Sequence, residues 1–413
     1  MYRQTRLHFL LILLMSYLGT DLLVRAVFML HFSPDISFSP VRLAQIFAYG
    51  AINDICVFAC LTLPLALAVL LLPWRGRIAQ AGAFTVFTLY LALFLFTAVS
   101  EYFFWDEFNV RFNFIAVDYL IYTQEVIANI MESYPVIPLL CVIAGLSLLL
   151  SAIFLRPLRH ARQTLMSGKL RLSVGSLWGI LTCFALFVFT PPAVSPNVFE
   201  NELSHNGIWS LFYAFFHNQL DYRTFYPVLD NREALSLVRR DLMEPAASFI
   251  SDDSTDLSRE IRGTGPEKRY NVIQIVIESL GSDSLNDRTP NINMLREQSL
   301  YFSNMRATGT RTVRGIEALT LSIPPTPGNS IVRRPNCGGL FTTGTVFRQH
   351  GYDTAFIYGG YGYFDNMNTF FSENGFRIVD RAGIPDEYKT FSNAWGICDE
   401  DLLGASLREA DAS

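Results

Sequence analysis

The chain has 413 residues, of which 51% are hydrophobic and 17% are charged, and its formal net charge is −5. Because a soluble globular protein carries about a quarter of its residues as charged side chains, the composition excludes a wholly soluble protein. The negative charge gives no indication of nucleic-acid binding, so we expect no such partner. The apolar excess lies before about residue 192, which predicts a membrane-embedded part followed by a soluble part.

Five apolar runs are long enough to cross a bilayer, for which about 20 residues are needed. They lie at roughly 8–30, 45–72, 79–100, 134–155 and 171–191. The first run is too long for a signal peptide, and no small-residue cleavage pattern follows it. The sequence therefore predicts a multi-pass membrane domain over residues 1–192.

Charge asymmetry between the connections predicts the orientation of these spans. One set of connections is basic and contains Arg3, Arg6, Arg75, Arg77, Arg156, Arg159, Arg162, Lys169 and Arg171. The connection between the third and fourth spans is acidic and contains Glu101, Asp106, Glu107, Asp118, Glu125 and Glu132. Because Lys and Arg mark cytoplasmic loops, we expect a cytoplasmic N-terminus and a C-terminal domain on the opposite side.

Charged residues also occur inside the predicted spans. Asp21 and Arg25 are four residues apart and share one helix face. Intramembrane charges usually mark function, but a mutually neutralising pair is the simpler interpretation. If Asp54 in the second span faces the same interior, Arg25 could serve both carboxylates.

The segments around and after the spans predict surface helices and a linker. The aromatic stretch near 101–125 is typical of an interfacial helix, although an aromatic belt that only anchors the chain is the alternative. Residues 193–269 are expected to hold juxtamembrane helices, one of them a short amphipathic helix after Asn206-Gly207, and a polar linker over 251–270. Cys337 and Cys398 in the C-terminal part could form a disulfide, and their proximity stays open.

Residues 270–413 show an alternation of strand and helix patterns. NVIQIVIE, residues 271–278, is typical of a strand buried on both faces, and a helix follows from Pro290 to about Ser299. Further along, a helix, a glycine stop at Gly351 and a strand ending at Tyr358 are predicted. This order favours a mostly parallel sheet. Glu278 at the strand end is either a ligand-binding residue or a solvated residue.

A second informative stretch is ATGTRTVRGIEAL, residues 307–319. Its glycine, threonines and arginines stand where a loop should lead into a helix. A hydroxyl at a helix N-terminus lies among free N–H groups and the positive end of the helix dipole, which favours phosphate binding. The alternative is that Thr312 only caps the helix.

Taken in order, strand-Glu278-Ser279, TPN, this stretch and GYDTAFIYGG resemble the lipoteichoic acid synthase and phosphoglycerol transferase family of the alkaline phosphatase and sulfatase superfamily. FNFIAVDYLIYTQEVIANI and NELSHNGIWSLFYAF in the first half resemble the same family. The resemblance implies about five transmembrane helices followed by an α/β alkaline-phosphatase-like catalytic domain over 270–413. It also implies a bacterial inner (plasma) membrane location with the C-terminal domain periplasmic or extracellular.

The resemblance further implies a mechanism and site residues. Thr312 matches the nucleophile, and Glu278 with Thr312 matches the start of a divalent metal site, commonly for manganese, with magnesium or zinc as alternatives. The donor would be an anionic lipid such as phosphatidylglycerol, and the acceptor a cell-envelope glycan or glycolipid. Arg311 and Arg314 flank the nucleophile and would bind the phosphodiester. Asp365 and Asn366 lie in the stretch that matches the family's substrate loop.

The sequence also departs from the family pattern. It has no Asp-His dipeptide, which the family uses for its remaining metal ligands. YGGYGYFDNMN, residues 358–368, lacks the family's Trp and Arg for glycerol phosphate. We therefore expect a catalytic domain that is incomplete at its C-terminus and has little activity alone. The alternatives are a catalytically inactive membrane protein and a phosphoethanolamine transferase.

Overall fold

A computed structural model describes residues 5–31, 39–71, 76–121, 123–156, 167–217, 223, 227–263, 265–266, 268–309 and 311–413. The chain divides into two units, Met1–Asn218 and Gln219–Ser413. Several of the basic residues from which the orientation was predicted lie outside the described residues, namely Arg3, Arg75, Arg159 and Arg162.

The described secondary-structure elements of the first unit are all helices. Its helices are α1 (Thr5–His31), α2 (Pro40–Leu71), α3 (Gly76–Phe108), α4 (Phe114–Ile121), α5 (Thr123–Ser133), α6 (Val136–Phe154), α7 (Gly168–Phe187), α8 (Val198–Ser204) and α9 (Gly207–Phe216). Five of them, α1, α2, α3, α6 and α7, are long and apolar enough to cross a membrane. The five predicted spans are therefore confirmed.

Aromatic side chains form the centre of this helix bundle. Tyr17 on α1 is 1% exposed and packs its ring 5.6 Å from that of Phe58 on α2 and 4.8 Å from that of Phe94 on α3. Because lipid tails are as apolar as these side chains, close packing rather than burial from water holds such helices together.

The acidic connection after the third span differs from the prediction of one interfacial helix near 101–125. Residues 101–108 continue α3, because no Gly or Pro interrupts the helical pattern there. The break comes at Asn109, which has a left-handed backbone with φ 55°, a conformation that Asn tolerates. The separate helices α4 and α5 follow. The predicted short helix after Asn206 is confirmed as α9, and the Asn206 side chain accepts hydrogen bonds from the first backbone N–H groups.

The second unit contains short helices and strands. Its elements are α10 (Asn231–Asp241), β1 (Ala247–Phe249), β2 (Arg259–Ile261), α11 (Pro290–Glu297), α12 (Thr312–Leu321), α13 (Thr343–Gln349), β3 (Ala355–Ile357), α14 (Met367–Glu373), β4 (Arg377–Val379) and α15 (Asp399–Ala412). β1 and β2 pair antiparallel, so part of the predicted linker over 251–270 is a strand. β3 and β4 pair parallel around α14, as the predicted strand–helix–strand order requires.

The prediction of a buried strand over 271–278 is wrong for this structure. These residues carry no strand assignment and all are exposed, including Ile273 at 69% and Ile275 at 64%. A run of β-branched residues is typical of a strand that is buried on both faces of a sheet. A strand forms, however, only where a neighbouring strand supplies the partners for its backbone hydrogen bonds. The described residues supply no such neighbour to this segment.

Candidate functional site

Thr312 and Glu278 are in direct contact. The Thr312 Oγ1 hydroxyl donates a hydrogen bond to Glu278 Oε2. Glu278 is exposed at the end of the apolar segment, and Ser279 behind it has a left-handed backbone with φ 58°. This turn directs the carboxylate to the helix that begins at Thr312. The contact brings together the two residues predicted as metal ligand and nucleophile, while those roles stay predictions.

Thr312 is the first residue of α12 and does not serve as its N-cap. The N-cap is Arg311, which is extended and makes no side-chain cap hydrogen bond. The Thr312 hydroxyl therefore points to Glu278 instead of the backbone. A hydroxyl at this position lies at the positive end of a ten-residue helix, where an anionic group is stabilised.

The apolar face of α12 fixes the position of Thr312. Val313 and Ile316, which are 4% and 7% exposed, belong to a buried cluster with Val332, Cys337, Met367, Phe370 and Phe371. Burying each side chain of this size contributes roughly 1.5–3 kcal/mol. Met367 follows Asn366 directly, as Val313 follows Thr312, so both predicted site segments lie at the rim of one cluster.

Glu317 is a structural residue that the sequence analysis missed. It is fully buried, and its carboxylate accepts hydrogen bonds from Ser330 Oγ at 2.5 Å and from the Ile331 backbone N at 2.6 Å. With Val313, Ile316 and Thr320 it occupies positions i, i+3, i+4 and i+7 of the buried helix face. The sequence alone could have indicated a buried carboxylate here, because Glu317 occupies a position of the helix that the apolar periodicity assigns to the buried face.

The two arginines next to Thr312 differ in their surroundings. Arg311 is half-buried at the start of α12. The Arg314 guanidinium donates to Glu317 Oε1 at 3.2 Å, to the Thr326 carbonyl at 3.0 Å and to the Gly328 carbonyl. Arg314 therefore holds the loop at 326–328, and binding of a phosphodiester by either arginine stays a prediction.

Asp365 and Asn366 form a strained turn. Their φ angles are 52° and 60°, a region that costs a non-glycine residue free energy. Asp365 is 3% exposed, and its Oδ1 lies 3.7 Å from Arg333 Nε. Asn366 Nδ2 donates to the Val332 carbonyl at 2.9 Å. Both side chains thus hold the segment at 332–333, and their predicted contact with substrate stays a prediction.

The loop that follows β3 is fixed by Asp380 at the end of β4. Asp380 Oδ2 accepts hydrogen bonds from the Gly362 backbone N at 2.9 Å and from Asn368 Nδ2 at 3.0 Å. Burial alone would raise the pKa of Asp380, but these hydrogen bonds outweigh it and the pKa is lowered. Asp380 therefore stays ionised and anchors the Tyr358–Asn368 stretch.

The number and type of donor atoms at Glu278 and Thr312 indicate whether this site could hold a metal ion. Glu278 and Thr312 supply two adjacent oxygen atoms, the donor type that manganese and magnesium prefer. Within the described ranges, no group of three or more His, Cys, Asp or Glu side chains is placed to hold a metal ion. Two oxygens are too few for a stable site, so the described residues do not fit a resident metal. Cys337 and Cys398 are free thiols here.

The membrane unit contains a second polar cluster. Arg25 forms a bidentate ion pair with Asp54, with its Nη1 3.0 Å from Oδ2 and its Nη2 3.1 Å from Oδ1, and both residues are 2% exposed. The pair joins α1 to α2, so Arg25 neutralises Asp54. The structure gives no Arg25–Asp21 ion pair within the described residues, and the simpler interpretation of the sequence is wrong on this point.

A second buried guanidinium lies beside the first. Arg111 is 1% exposed and forms an ion pair with Glu101 on α3. Its backbone N donates to Glu202 Oε2 at 3.0 Å, and its Nε donates to the Glu202 carbonyl at 2.8 Å. Arg25 Nε donates to the Leu203 carbonyl at 2.8 Å. The two arginines thus fasten residues 202–203 to the bundle.

Comparison with known proteins gives matches to part of the C-terminal unit. Residues 270–411 match the Sulfatase family model. The chain is also similar to a crystal structure of a protein in the alkaline phosphatase superfamily from Vibrio parahaemolyticus, at 42% identity, with 30% of each chain covered and a TM-score of 0.29. The chain therefore spans less than a third of that protein's length.

These matches support the broader level of the predictions. The predicted fold class, five apolar helices followed by a domain of the sulfatase and alkaline phosphatase type, is confirmed. Proteins of this superfamily are generally metal-dependent hydrolases or transferases, which is the broader class of activity predicted. Residues 270–411, which match the Sulfatase family model, follow five helices that are long and apolar enough to cross a membrane.

Proposed function

We propose that this protein is a phosphoglycerol-type transferase that uses Thr312 as its nucleophile. The observation that carries the proposal is the hydrogen bond from the Thr312 hydroxyl to the Glu278 carboxylate. A threonine hydroxyl is a weak nucleophile and needs a base within hydrogen-bond reach. Glu278 is such a base, and a sulfatase domain is the setting in which phosphate or sulfate esters are attacked.

The proposed reaction has two steps. Thr312 Oγ1 attacks the phosphorus of an anionic phospholipid such as phosphatidylglycerol, and Glu278 accepts the hydroxyl proton. The phosphorus–oxygen bond to diacylglycerol breaks, and the leaving oxygen takes up a proton from water. A hydroxyl of a glycan or glycolipid acceptor then attacks the phosphorus of the phosphoglycerol–threonine ester and loses its proton to water. The phosphorus–oxygen bond to Thr312 breaks, and Glu278 returns its proton to Thr312 Oγ1.

The proposal also includes a divalent metal ion and a phosphoglycerol head group on the donor lipid. Manganese, with magnesium or zinc as alternatives, is expected from the superfamily's general metal dependence, although the described residues supply two oxygens only. A phosphoethanolamine transferase is the nearest alternative, and the head group of the donor lipid separates the two. A third outcome is a membrane protein without catalytic activity.

We also propose that the sulfatase domain lies outside the cytoplasm, in the periplasm or at the outer surface of the inner membrane. The support is the acidic connection between the third and fourth spans and the basic residues in the others. A reporter that is active only after export, fused after Ser413, should be active. Activity of a cytoplasm-specific reporter at the same position would contradict this orientation.

The direct test is to trap the threonine ester. The full chain in lipid nanodiscs would be incubated with phosphatidylglycerol labelled in its head group, with and without manganese, and digested for mass spectrometry. We expect label on the peptide that contains Thr312, at a low level because the described residues supply only two metal-ligand oxygens, and none in Thr312→Ala. Phosphatidylethanolamine labelled in its head group is tested in parallel.

Thr308→Ala is the matched control for this experiment. Thr308 is an exposed threonine in the same loop, and its hydroxyl contacts the Arg314 carbonyl at 3.4 Å instead of Glu278. This variant should label as the unchanged chain does. Label that persists in Thr312→Ala, or that is lost equally in both variants, would contradict Thr312 as the nucleophile.

A further inference from the structure

The two buried arginines of the membrane unit belong to one charged network at one end of the bundle. We call the network the carboxylate cluster, and it consists of Asp21, Arg25, Asp54, Glu101, Arg111 and Glu202. Arg111 interacts electrostatically with Asp21 and Asp54 as well as with Glu101. The cluster therefore joins α1, α2, α3 and the segment at 202–205 into one electrostatic unit.

The carboxylate cluster has more negative than positive groups. Four carboxylates, those of Asp21, Asp54, Glu101 and Glu202, face the two guanidinium groups of Arg25 and Arg111. His205 adds no positive charge, because burial, together with the charge of Arg111, lowers its pKa to about 4. Fully ionised, the cluster would carry two uncompensated negative charges in the protein interior.

Such a charge excess is not stable as it stands. An unpaired buried charge costs several kcal/mol, and the group takes up a proton instead. A metal ion would also neutralise it, but the described part of the chain holds no group of three suitable ligands. Two polar atoms of the cluster also have no hydrogen-bond partner among the described residues. They are Asp21 Oδ2 and Nη2 of Arg111, which is almost fully buried.

Glu202 is the carboxylate best placed to exchange a proton with water. Asp21 and Glu202 are the two carboxylates of the cluster outside the ion pairs Arg25–Asp54 and Arg111–Glu101. Glu202 is half-buried on α8, outside the five long apolar helices, whereas Asp21 lies within the first of them. Burial raises the pKa of Glu202. The hydrogen bond from the Arg111 backbone N and the charge of Arg111 lower it, the charge of Glu101 raises it, and the pKa remains raised. That hydrogen bond ends on Oε2, which leaves the other oxygen for the proton.

We propose that this end of the helix bundle is a proton-binding site, in which Glu202 carries the proton and the protonated cluster holds residues 202–207 against α1, α2 and α3. The step forms one O–H bond between a proton from water and a Glu202 carboxylate oxygen, and no other bond breaks. The segment is held through Arg25 to the Leu203 carbonyl, Arg111 to the Glu202 carbonyl, and Asn206 to Asp54 at 2.9 Å.

Loss of the proton should loosen this segment. Ionised Glu202 would compete with Glu101 for Arg111 and repel its charge. Because the folded state binds the proton more tightly than the unfolded state, the stabilisation is complete at low pH and is lost as pH rises through the raised pKa of Glu202. The charged and titratable groups of the elements that pack around Glu202 and the α8–α9 junction are Asp21, Arg25, Asp54, Glu101, Arg111, Asp118 and His205.

The test uses the full chain in lipid nanodiscs over a range of pH. Infrared difference spectroscopy detects the C=O stretch of a protonated carboxyl group, and hydrogen–deuterium exchange, corrected for the intrinsic rate at each pH, reports protection of residues 202–207. We expect a carboxyl band that disappears at alkaline pH together with the protection. In Glu202→Gln the pH-dependent part of the band should be lost, and the protection should be independent of pH.

Glu200→Gln is the matched control. Glu200 lies on the same helix α8 and is buried, but Arg42 Nε is 3.3 Å from its carboxylate and balances its charge. Glu200→Gln should keep the pH-dependent carboxyl band and the pH-dependent protection. A carboxyl band in Glu202→Gln with the same pH dependence as in the unchanged chain, or the same pH-dependent protection in Glu202→Gln, would overturn the proposal.

Glu101→Gln provides a second measurement should Glu202→Gln fail to fold. It removes the like charge that acts on Glu202 and leaves the Arg111 guanidinium without its carboxylate partner. The midpoint of the carboxyl band should then shift to lower pH by about one unit, as expected for the loss of a nearby like charge. An unchanged midpoint would mean that Glu202 does not titrate as part of this cluster.

Discussion

The hydroxyl of Thr312 donates a hydrogen bond to the carboxylate of Glu278, 34 positions earlier in the chain. The two side chains come from different local structures, a turn after an extended apolar segment and the first residue of a helix. A nucleophile and a base in contact are the minimum that a covalent group transfer requires. This pair is therefore where the first functional test should be made.

Glu278→Gln should slow the labelling of Thr312. The amide keeps the size of the side chain and can still accept the hydroxyl hydrogen bond, but it cannot take the proton. Loss of a positioned general base lowers the rate by about 10²–10⁴-fold. The measurement is the rate of label incorporation from phosphatidylglycerol under the conditions of the trapping experiment.

Glu297→Gln is the control for Glu278→Gln. Glu297 is an exposed carboxylate at the end of α11, so its replacement should leave the labelling rate unchanged. Equal rates in Glu278→Gln and the unchanged chain would exclude Glu278 as the base and leave Thr312 to be activated by another group.

The membrane spans and the site pair could be predicted because their signals are local. A run of about 20 apolar residues determines a span without reference to any other segment. Thr312 was found because glycine, threonine and arginine preceded an apolar helical periodicity, and Glu278 because it ended an apolar run. Each feature is contained within about 20 consecutive residues.

The features that depend on distant partners were not predictable in the same way. The segment at 271–278 has the composition of a strand, but its hydrogen bonding depends on a neighbour that its own sequence does not specify. The carboxylate that pairs with Arg25 is Asp54 on another helix, 29 positions away, and not Asp21 one turn away. Sequence spacing identified a shared helix face, whereas the packing of α1 against α2 determined the pair.

Arg25→Ala should destabilise the membrane unit strongly. Asp54 is 2% exposed and would lose the bidentate partner that neutralises it. Removing one member of a buried ion pair costs about 3–5 kcal/mol. Thermal unfolding in detergent micelles measures the effect, and replacing Arg25 and Asp54 together by Leu should be less harmful than Arg25→Ala, because no unpaired charge remains.

Asp106→Asn is the comparison within the same unit. Its Oδ1 lies 3.6 Å from Nε2 of His31, and the two side chains are 54% and 45% exposed. Exposed pairs of this kind contribute about 0–1 kcal/mol. If Arg25→Ala were no more harmful than Asp106→Asn, the buried pair would not be a major stabilising contact.

Glu317→Gln should destabilise the second unit and loosen the loop at 326–331. The carboxylate accepts hydrogen bonds from Ser330, Ile331, Thr326 and Arg314. An amide can accept with one oxygen only, and its NH2 group would face buried donors. We expect a loss of about 3 kcal/mol, since hydrogen bonds to a charged group contribute roughly 1.5–3 kcal/mol each.

This loss of unfolding free energy is measured by unfolding the full chain in urea, with protease cleavage of the second unit as the readout. Glu387→Gln, at an exposed position, should unfold as the unchanged chain does. An equally small effect of Glu317→Gln would mean that the loop is held by the apolar cluster alone.

Gly50→Ala and Gly19→Ala should act in opposite directions, although both replace a glycine inside an apolar helix. A Cβ atom at Gly50 would lie 2.4 Å from Arg25 Cζ, whereas at Gly19 no atom lies within 4 Å of the new Cβ. Alanine is favoured over glycine in a helix by about 1 kcal/mol, so Gly19→Ala should be neutral or stabilising.

At Gly50 the methyl group displaces the Arg25 guanidinium, which the ion pair with Asp54 and the Leu203 carbonyl hold in place. We therefore expect a lower unfolding temperature for Gly50→Ala and faster amide exchange at residues 202–207, both measured in nanodiscs. Exchange at that segment unchanged by Gly50→Ala would show that Arg25 can move without releasing it.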